Sequence, residues 1–414
     1  MKGKQLLAAL LAACMLTATG CAAKSASVEN LMKDTKKEQT ESLYDTSVVQ
    51  DTATALTGFG TALLQNAMVE ANPLVSPLSV ASALSMTANG AAGETKTQME
   101  QTLGVSTDSL NAWFYVLQTN EKDDKQLKLA NSIWMKDTDT LHVEDAFLQQ
   151  NADAFDAGIY SAPFDDTTKK AINDWVKKNT DGMIPEIIDR ISPDTVMYLV
   201  NALAFDAKWE SPFKSYDVWD GTFTARDGRA QIGAFLHGAA GQYLHDEHAE
   251  GFLKSYEGGR YAFAALLPDE DTGIEDYVSQ LTGERLHAIL TSPADESTEF
   301  ALPKFKTEFS AELSDSLKSL GMTDAFDGEK ADFTALGTSD EGNLYISNVF
   351  HKTFIQVDEA GTKAGAATAA DIATESAAEY PHSVYLERPF VYMIADLDTG
   401  LPVFLGVLTE LPEV

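Results

Sequence analysis

Residues 359–380, EAGTKAGAATAADIATESAAEY, decide how this chain is read. Nine of the nineteen residues from Ala360 to Ala378 are alanine, and propensity alone makes such a stretch a helix or a flexible linker. Two features favour a third state. There is no proline from Ala360 to Tyr380, and Pro381 follows only afterwards. The charges also keep one parity. Thr362, Ala364, Ala366, Thr368, Ala370, Ile372 and Thr374 are uncharged and mostly small, while Lys363, Asp371 and Glu375 fall on the alternate positions. A period of two with one uncharged side belongs to a strand with a buried face. A segment free of proline can enter the middle of a sheet, where a missing N–H would break the ladder.

Around this stretch the second half of the chain is rich in strand patterns. Val196 to Phe205 (VMYLVNALAF) is apolar and β-branched enough for a fully buried strand. Tyr261 to Leu267, Leu344 to Val357, Phe390–Asp396 and Pro402–Leu408 read the same way. Helical patterns concentrate earlier. Ser76-Pro77 supplies a capping hydroxyl and a first-turn proline for a helix over Leu78 to Asn89, closed by Gly90. Thr168 to Lys178 carries Ile172, Trp175 and Val176 on one face. The expectation is an α+β fold with a large sheet. No linker splits residues 53–414, so they read as one domain.

The N-terminus speaks for export. Lys2 and Lys4 precede an apolar run from Leu6 to Leu16, too short for a bilayer and right for a signal peptide over residues 1–20. Ala18-Thr19-Gly20-Cys21 looks like a bacterial lipoprotein cleavage site, with Cys21 as the lipidated first residue; Ala18 departs from the usual Leu, which leaves ordinary secretion as the alternative. Residues 21–52, rich in Lys, Glu, Asp, Ser and Thr, read as a flexible tether. Cys14 and Cys21 are the two cysteines, and cleavage leaves one, which permits neither an internal disulfide nor a cysteine-based metal site. The net charge of −33 becomes −35 once the two leader lysines are gone. Nucleic-acid binding, which needs a basic face, is excluded; a cationic partner would be drawn in by the field, and the plainer and favoured reading is that the excess acid keeps the protein soluble.

Enzyme chemistry finds little support. The chain holds no G-x-S-x-G elbow or P-loop, and Gly58-Phe59-Gly60 lacks the third glycine of a dinucleotide fingerprint. His245-Asp246-Glu247-His248 groups two histidines with two acids, but at a spacing foreign to zinc proteases and in a polar, loop-like stretch. Asp269-Glu270-Asp271 lacks the glycine and distal glutamate of a calcium loop. No cofactor, metal or catalytic residue is expected.

Val357-Asp358-Glu359-Ala360-Gly361-Thr362-Lys363-Ala364-Gly365-Ala366 resembles the reactive-loop hinge of the serpins, single-use protease inhibitors. Other blocks follow in family order over nearly all of residues 55–412. They are Asn72 to Met99, Ala130 to Trp134, Ile172 to Val176 with Thr180 and Gly182, Val200 to Phe205 with Trp209, Pro212 and Phe213, Leu302 to Phe305, Gly321 to Phe333, and Arg388-Pro389-Phe390. The resemblance implies a metastable fold of three sheets and about nine helices with an exposed reactive loop. It also implies a mechanism. A serine protease cuts the loop, forms an acyl-enzyme, and is trapped in a covalent 1:1 complex when the loop inserts into the central sheet. The inhibitor is expected to be a monomer that touches membrane only through its N-terminal lipid.

By the same resemblance Glu359, Gly361, Thr362, Ala364 and Ala366 form the hinge. Counting sixteen from Glu359 places the reactive bond at Glu375–Ser376, while Ala373, Thr374 and Ala377 offer alternative cleavage to elastase-like or subtilisin-like enzymes. Ser76, Ser79, Asn201 and His351 match the polar shutter beneath the opening sheet, and Trp209 the breach where the loop first enters. From sequence alone Trp209 reads equally as a core anchor. A non-inhibitory serpin acting as a binding or carrier module is the alternative function; small residues at Thr362, Ala364 and Ala366 favour the inhibitor.

Overall fold

The computed structural model describes residues 27–38, 49–120, 126–138, 140–155, 158–192, 195–362 and 380–412. The leader, Cys21, the outer hinge positions Ala364 and Ala366, and the cleavage positions Ala373, Thr374, Glu375, Ser376 and Ala377 lie outside them. Among the described residues there are nine α-helices, six of them between Val49 and Asn179, while most strands follow Met197. The chain is α+β, as its patterning requires.

Among the described residues three large sheets organise the molecule, beside a two-stranded pairing of Gly337–Thr338 with His142–Val143. The largest has eight strands and carries the site. Four of them run in the order Gly158–Ala162, Leu127–Lys136, Met197–Phe205 and Asn348–Val357. The Met197–Phe205 strand is buried at all nine positions, which is why it reads as a continuous apolar run. It pairs in parallel with Asn348–Val357 from Asn348↔Tyr198 to Phe354↔Ala204, and Phe305–Glu312 closes the far side antiparallel. A six-stranded sheet centred on Tyr261–Pro268 and Phe390–Asp396 forms the deep core, every residue of both strands buried. A four-stranded sheet takes the order His382–Tyr385, Thr298–Pro303, Ala230–Ala240, Val218–Thr224.

The Pro77–Ala88 helix begins as its cap predicts: Ser76 Oγ accepts the Ser79 N–H at 3.1 Å, and Pro77 opens the first turn. All twelve of its residues are buried, beneath the central sheet. Gly58 meets Gly283 where the Val49–Ala67 and Gly283–Thr291 helices cross; a Cβ on Gly283 would lie 2.3 Å from the Gly58 Cα. That close crossing accounts for a glycine motif that fits no cofactor fingerprint.

The stretch expected as a flexible tether is in part docked. Glu29–Asn30 pairs antiparallel with Gly158–Ala162, the Leu31 N–H donates to Ile159 O at 2.9 Å, and Leu31 and Met32 pack against the core. Leu31 and Met32 are among the few large apolar residues there, and a sheet edge offers unpaired amides and carbonyls to any neighbouring chain. The first helix starts at Val49, before the position where the composition changes.

Candidate functional site

The site is built on the seam between the Met197–Phe205 and Asn348–Val357 strands. Asn201 and His351 stand opposite each other across it, and Asn131 is opposite Asn201 on the other side. Side chains directly opposite in a ladder share a face. The Ser76 N–H donates to His351 Nε2 at 3.1 Å, so that nitrogen is the acceptor, and the Nδ1–H donates to Asn201 Oδ1 at 2.5 Å. Ser79 Oγ lies 3.3 Å from Asn201 Oδ1 and 3.4 Å from Asn131 Oδ1. The four residues singled out in the sequence, Ser76, Ser79, Asn201 and His351, therefore meet in one fully buried polar cluster. Burial drives the His351 pKa down to about 3, so the ring is neutral and both nitrogens are used.

At the upper end of the seam the chain turns back on itself. Asp358 Oδ1 accepts the N–H groups of Ala360 (2.9 Å) and Gly361 (3.3 Å), and the Asp358 N–H donates to Gly361 O. This turn aims Gly361–Thr362 between two strands, with Val357 opposite Thr362 on one side and Ala207–Lys208 on the other. Thr362 is wholly buried, and its Oγ1 shares a 2.5 Å hydrogen bond with Tyr256 OH. Gly361 is obligatory here: a Cβ would fall 2.1 Å from Ala207 O. Of the hinge residues Gly361 and Thr362 are seated in the sheet, where small side chains fit the gap and Tyr256 supplies a polar partner for Thr362, while the expected exposed loop lies outside the described residues.

Trp209 holds that turn. Its N–H donates to Ala360 O at 3.0 Å and its Nε1–H to Asp358 O at 2.8 Å, while its ring stacks on Tyr256 at 4.5 Å. It is both a buried anchor and the wall of the slot. The Phe213 N–H donates to Glu359 O at 2.9 Å. Lys254 lies over the rings of Trp209 and Phe213, 5.5 and 4.6 Å from their centroids, and burial lowers its pKa to about 8. Glu359 pairs with Lys304 Nζ at 2.6 Å. Partial burial pushes the Glu359 carboxyl up, but the hydrogen bond and charge of Lys304 outweigh it and hold the pKa below its ordinary value.

Tyr256, Lys254 and Lys304 complete the hinge, and the sequence reading assigned none of them a role. Lys304 sat inside a recognised block, Leu302 to Phe305. Tyr256 and Lys254 had no local signal, because each meets its partners across more than forty residues of chain. His245 and Asp246 are apart from this region. Asp246 accepts from Arg285, Tyr277 and His248, and among the described residues no set of three acidic, histidine or cysteine side chains could hold a metal ion.

Comparison with known proteins agrees with this geometry. The family model described as serpin (serine protease inhibitor) matches residues 54–411. The human leukocyte elastase inhibitor is 32% identical over 369 residues, covering 82% of this chain and 94% of its own, and serpin-ZXA of Oryza sativa subsp. japonica is 33% identical over 358 residues, covering 81% and 89%. The thermophilic serpin tengpin in its native state superposes with a TM-score of 0.87 at 41% identity, covering 93% of this chain and 100% of its own. Its latent state, at the same identity and covering 91% and 100%, gives 0.76. A closed seam with Phe350 and Phe354 directly beside Val200 and Ala204, a seated hinge, and a sequence matched from end to end of the folded region lead to one conclusion: this chain is a member of the serpin family.

Proposed function

We propose that this serpin is a suicide-substrate inhibitor of serine proteases. The observation that carries the reading is Thr362, seated between Val357 and Ala207 at the top of a sheet whose strands are otherwise closed on each other. A loop cut downstream has its leading residue already placed in the gap, and the parity of residues 362–374 keeps small uncharged side chains toward the interior. Insertion of about 14 residues forms on the order of 20 backbone hydrogen bonds, each worth about 1 kcal/mol net. Displacement of catalytic groups by about 1 Å slows an enzyme roughly 100-fold, so the release is large enough to stall deacylation.

In this reading Glu375–Ser376 is the reactive bond, with Ala373, Thr374 and Ala377 as alternatives, and the target has elastase-like, subtilisin-like or Glu-directed specificity. Glu359 to Ala366 act as the hinge, the Ser76–Ser79–Asn201–His351 cluster as the shutter, and Trp209 with Tyr256 as the breach. The protein is exported and held at the cell surface by a lipid on Cys21. Incubation with a panel of such proteases, a denaturing gel and mass spectrometry of the released C-terminal peptide test the reading. The expected result is a band of summed mass that survives boiling in detergent; cleavage without that band favours the carrier alternative. Labelling with a radioactive fatty acid, lost in Cys21→Ser, tests the anchor.

A further inference from the structure

We propose that the outer face of the four-stranded sheet is a docking surface for the body of the protease that attacks the loop, and that it fits a cationic patch with an apolar centre. The proposal rests on the inhibitor reading and adds to it a contact outside the loop. Tyr385 and His237 both stand opposite Ala301, so the three share a face across three strands. Trp219, on the fourth strand, stacks on the His237 ring at 3.4 Å with the planes 7° apart. Ala301 is buried between Tyr385 and the His237–Trp219 stack. Tyr216, Trp219 and Tyr385 are 59%, 53% and 43% exposed, three of the few large apolar side chains so open among the described residues. Aromatic side chains that pre-pack yet stay open are the usual energetic centre of protein interfaces.

Charge and position select the occupant. Glu299 accepts from Tyr385 OH at 2.7 Å, and Asp217 and Glu299 both act on His237 against the effect of its burial. The row is therefore edged with carboxylates on a chain of net charge −33, which favours a basic partner. The residues flanking the loop are tied close to this sheet in the chain: the Phe213 N–H, three residues before Tyr216, donates to Glu359 O, and Tyr380 is five residues before Tyr385. The intervening 363–379 has seventeen residues. No point on it lies more than about 30 Å along the chain from one end. An enzyme engaged anywhere along it is kept within reach of this face.

The test is the second-order rate of loop attack by a basic protease from the panel, measured on the full chain. Trp219→Ala/Tyr385→Ala is expected to slow attack about tenfold, the loss of a central aromatic anchor, with the melting temperature unchanged. Glu299→Gln, which keeps the Tyr385 contact, is expected to weaken the salt dependence of the rate. Attack at the wild-type rate by the folded double variant overturns the proposal. Should the double variant melt lower, Trp219→Phe and Tyr385→Phe replace it, and partial recovery of rate by these rings is then the expected result. Cleavage without a covalent complex removes the inhibitor reading while the rate still scores the surface; a loop that no panel protease cuts overturns both.

Discussion

His351 and Asn201 face each other across the seam of the central sheet, joined by a hydrogen bond from His351 Nδ1 to Asn201 Oδ1. A strand that enters this seam must part them. In the proposed mechanism the bond is a closure that loop insertion has to open, and the Ser76 N–H on the other ring nitrogen needs the neutral ring that burial maintains.

Stability should therefore fall in acid. The folded-state pKa of His351, about 3, lies below the unfolded value of about 6.5. The stabilisation is fully present above about pH 6.5 and is lost progressively as the pH drops toward about 3. Melting temperature measured from pH 8 to pH 4 should decline, and His351→Gln should flatten the decline below pH 6.5 while lowering the value at neutral pH.

If the chain inhibits as proposed, Thr362→Arg should turn it into a substrate. A guanidinium in place of the hydroxyl that meets Tyr256 cannot be buried unpaired, so the hinge leaves the sheet and cannot lead insertion. On a denaturing gel the protease should cut the variant fully without the stable complex. A complex formed at the wild-type yield would refute this.

In the proposed mechanism, cleavage of the loop should raise the melting temperature of the wild-type protein by tens of degrees, since its insertion would add about 20 hydrogen bonds to the central sheet. The same cut in Thr362→Arg should raise it little. Calorimetry before and after limited proteolysis makes the comparison.

The Lys304–Glu359 pair is partly exposed on both sides, 33% and 38%, so its share of stability is small. Lys304→Ala should cost less than about 1 kcal/mol in urea unfolding. Its larger effect should be on hydrogen exchange of the Asp358–Thr362 amides, which the pair helps to hold in place.

Deletion of residues 1–38 should lower the melting temperature by a few degrees and deprotect the Gly158–Ala162 amides, because it bares a sheet edge and uncovers the apolar surface under Leu31 and Met32. Unchanged exchange at Tyr160 and Ser161 would speak against a stabilising role for the docked segment.

What the sequence determined was whatever local chemistry fixes. The Ser76-Pro77 cap starts its helix wherever the helix lies, and the largely apolar run Met197–Phe205 reads as a strand covered on both faces. The Glu359–Thr362 turn and the shutter residues were legible because their residue types recur in fixed order. The tertiary structure alone decided that Thr362 is seated before any cut. Its burial depends on Tyr256, 106 residues away, and on the space a missing Cβ leaves beside Ala207. The docking of residues 27–38 was likewise invisible, since a polar segment takes its place from the strand edge it meets rather than from its own pattern. Contacts between distant parts of a chain depend on the shape of the whole, and local sequence carries no record of them.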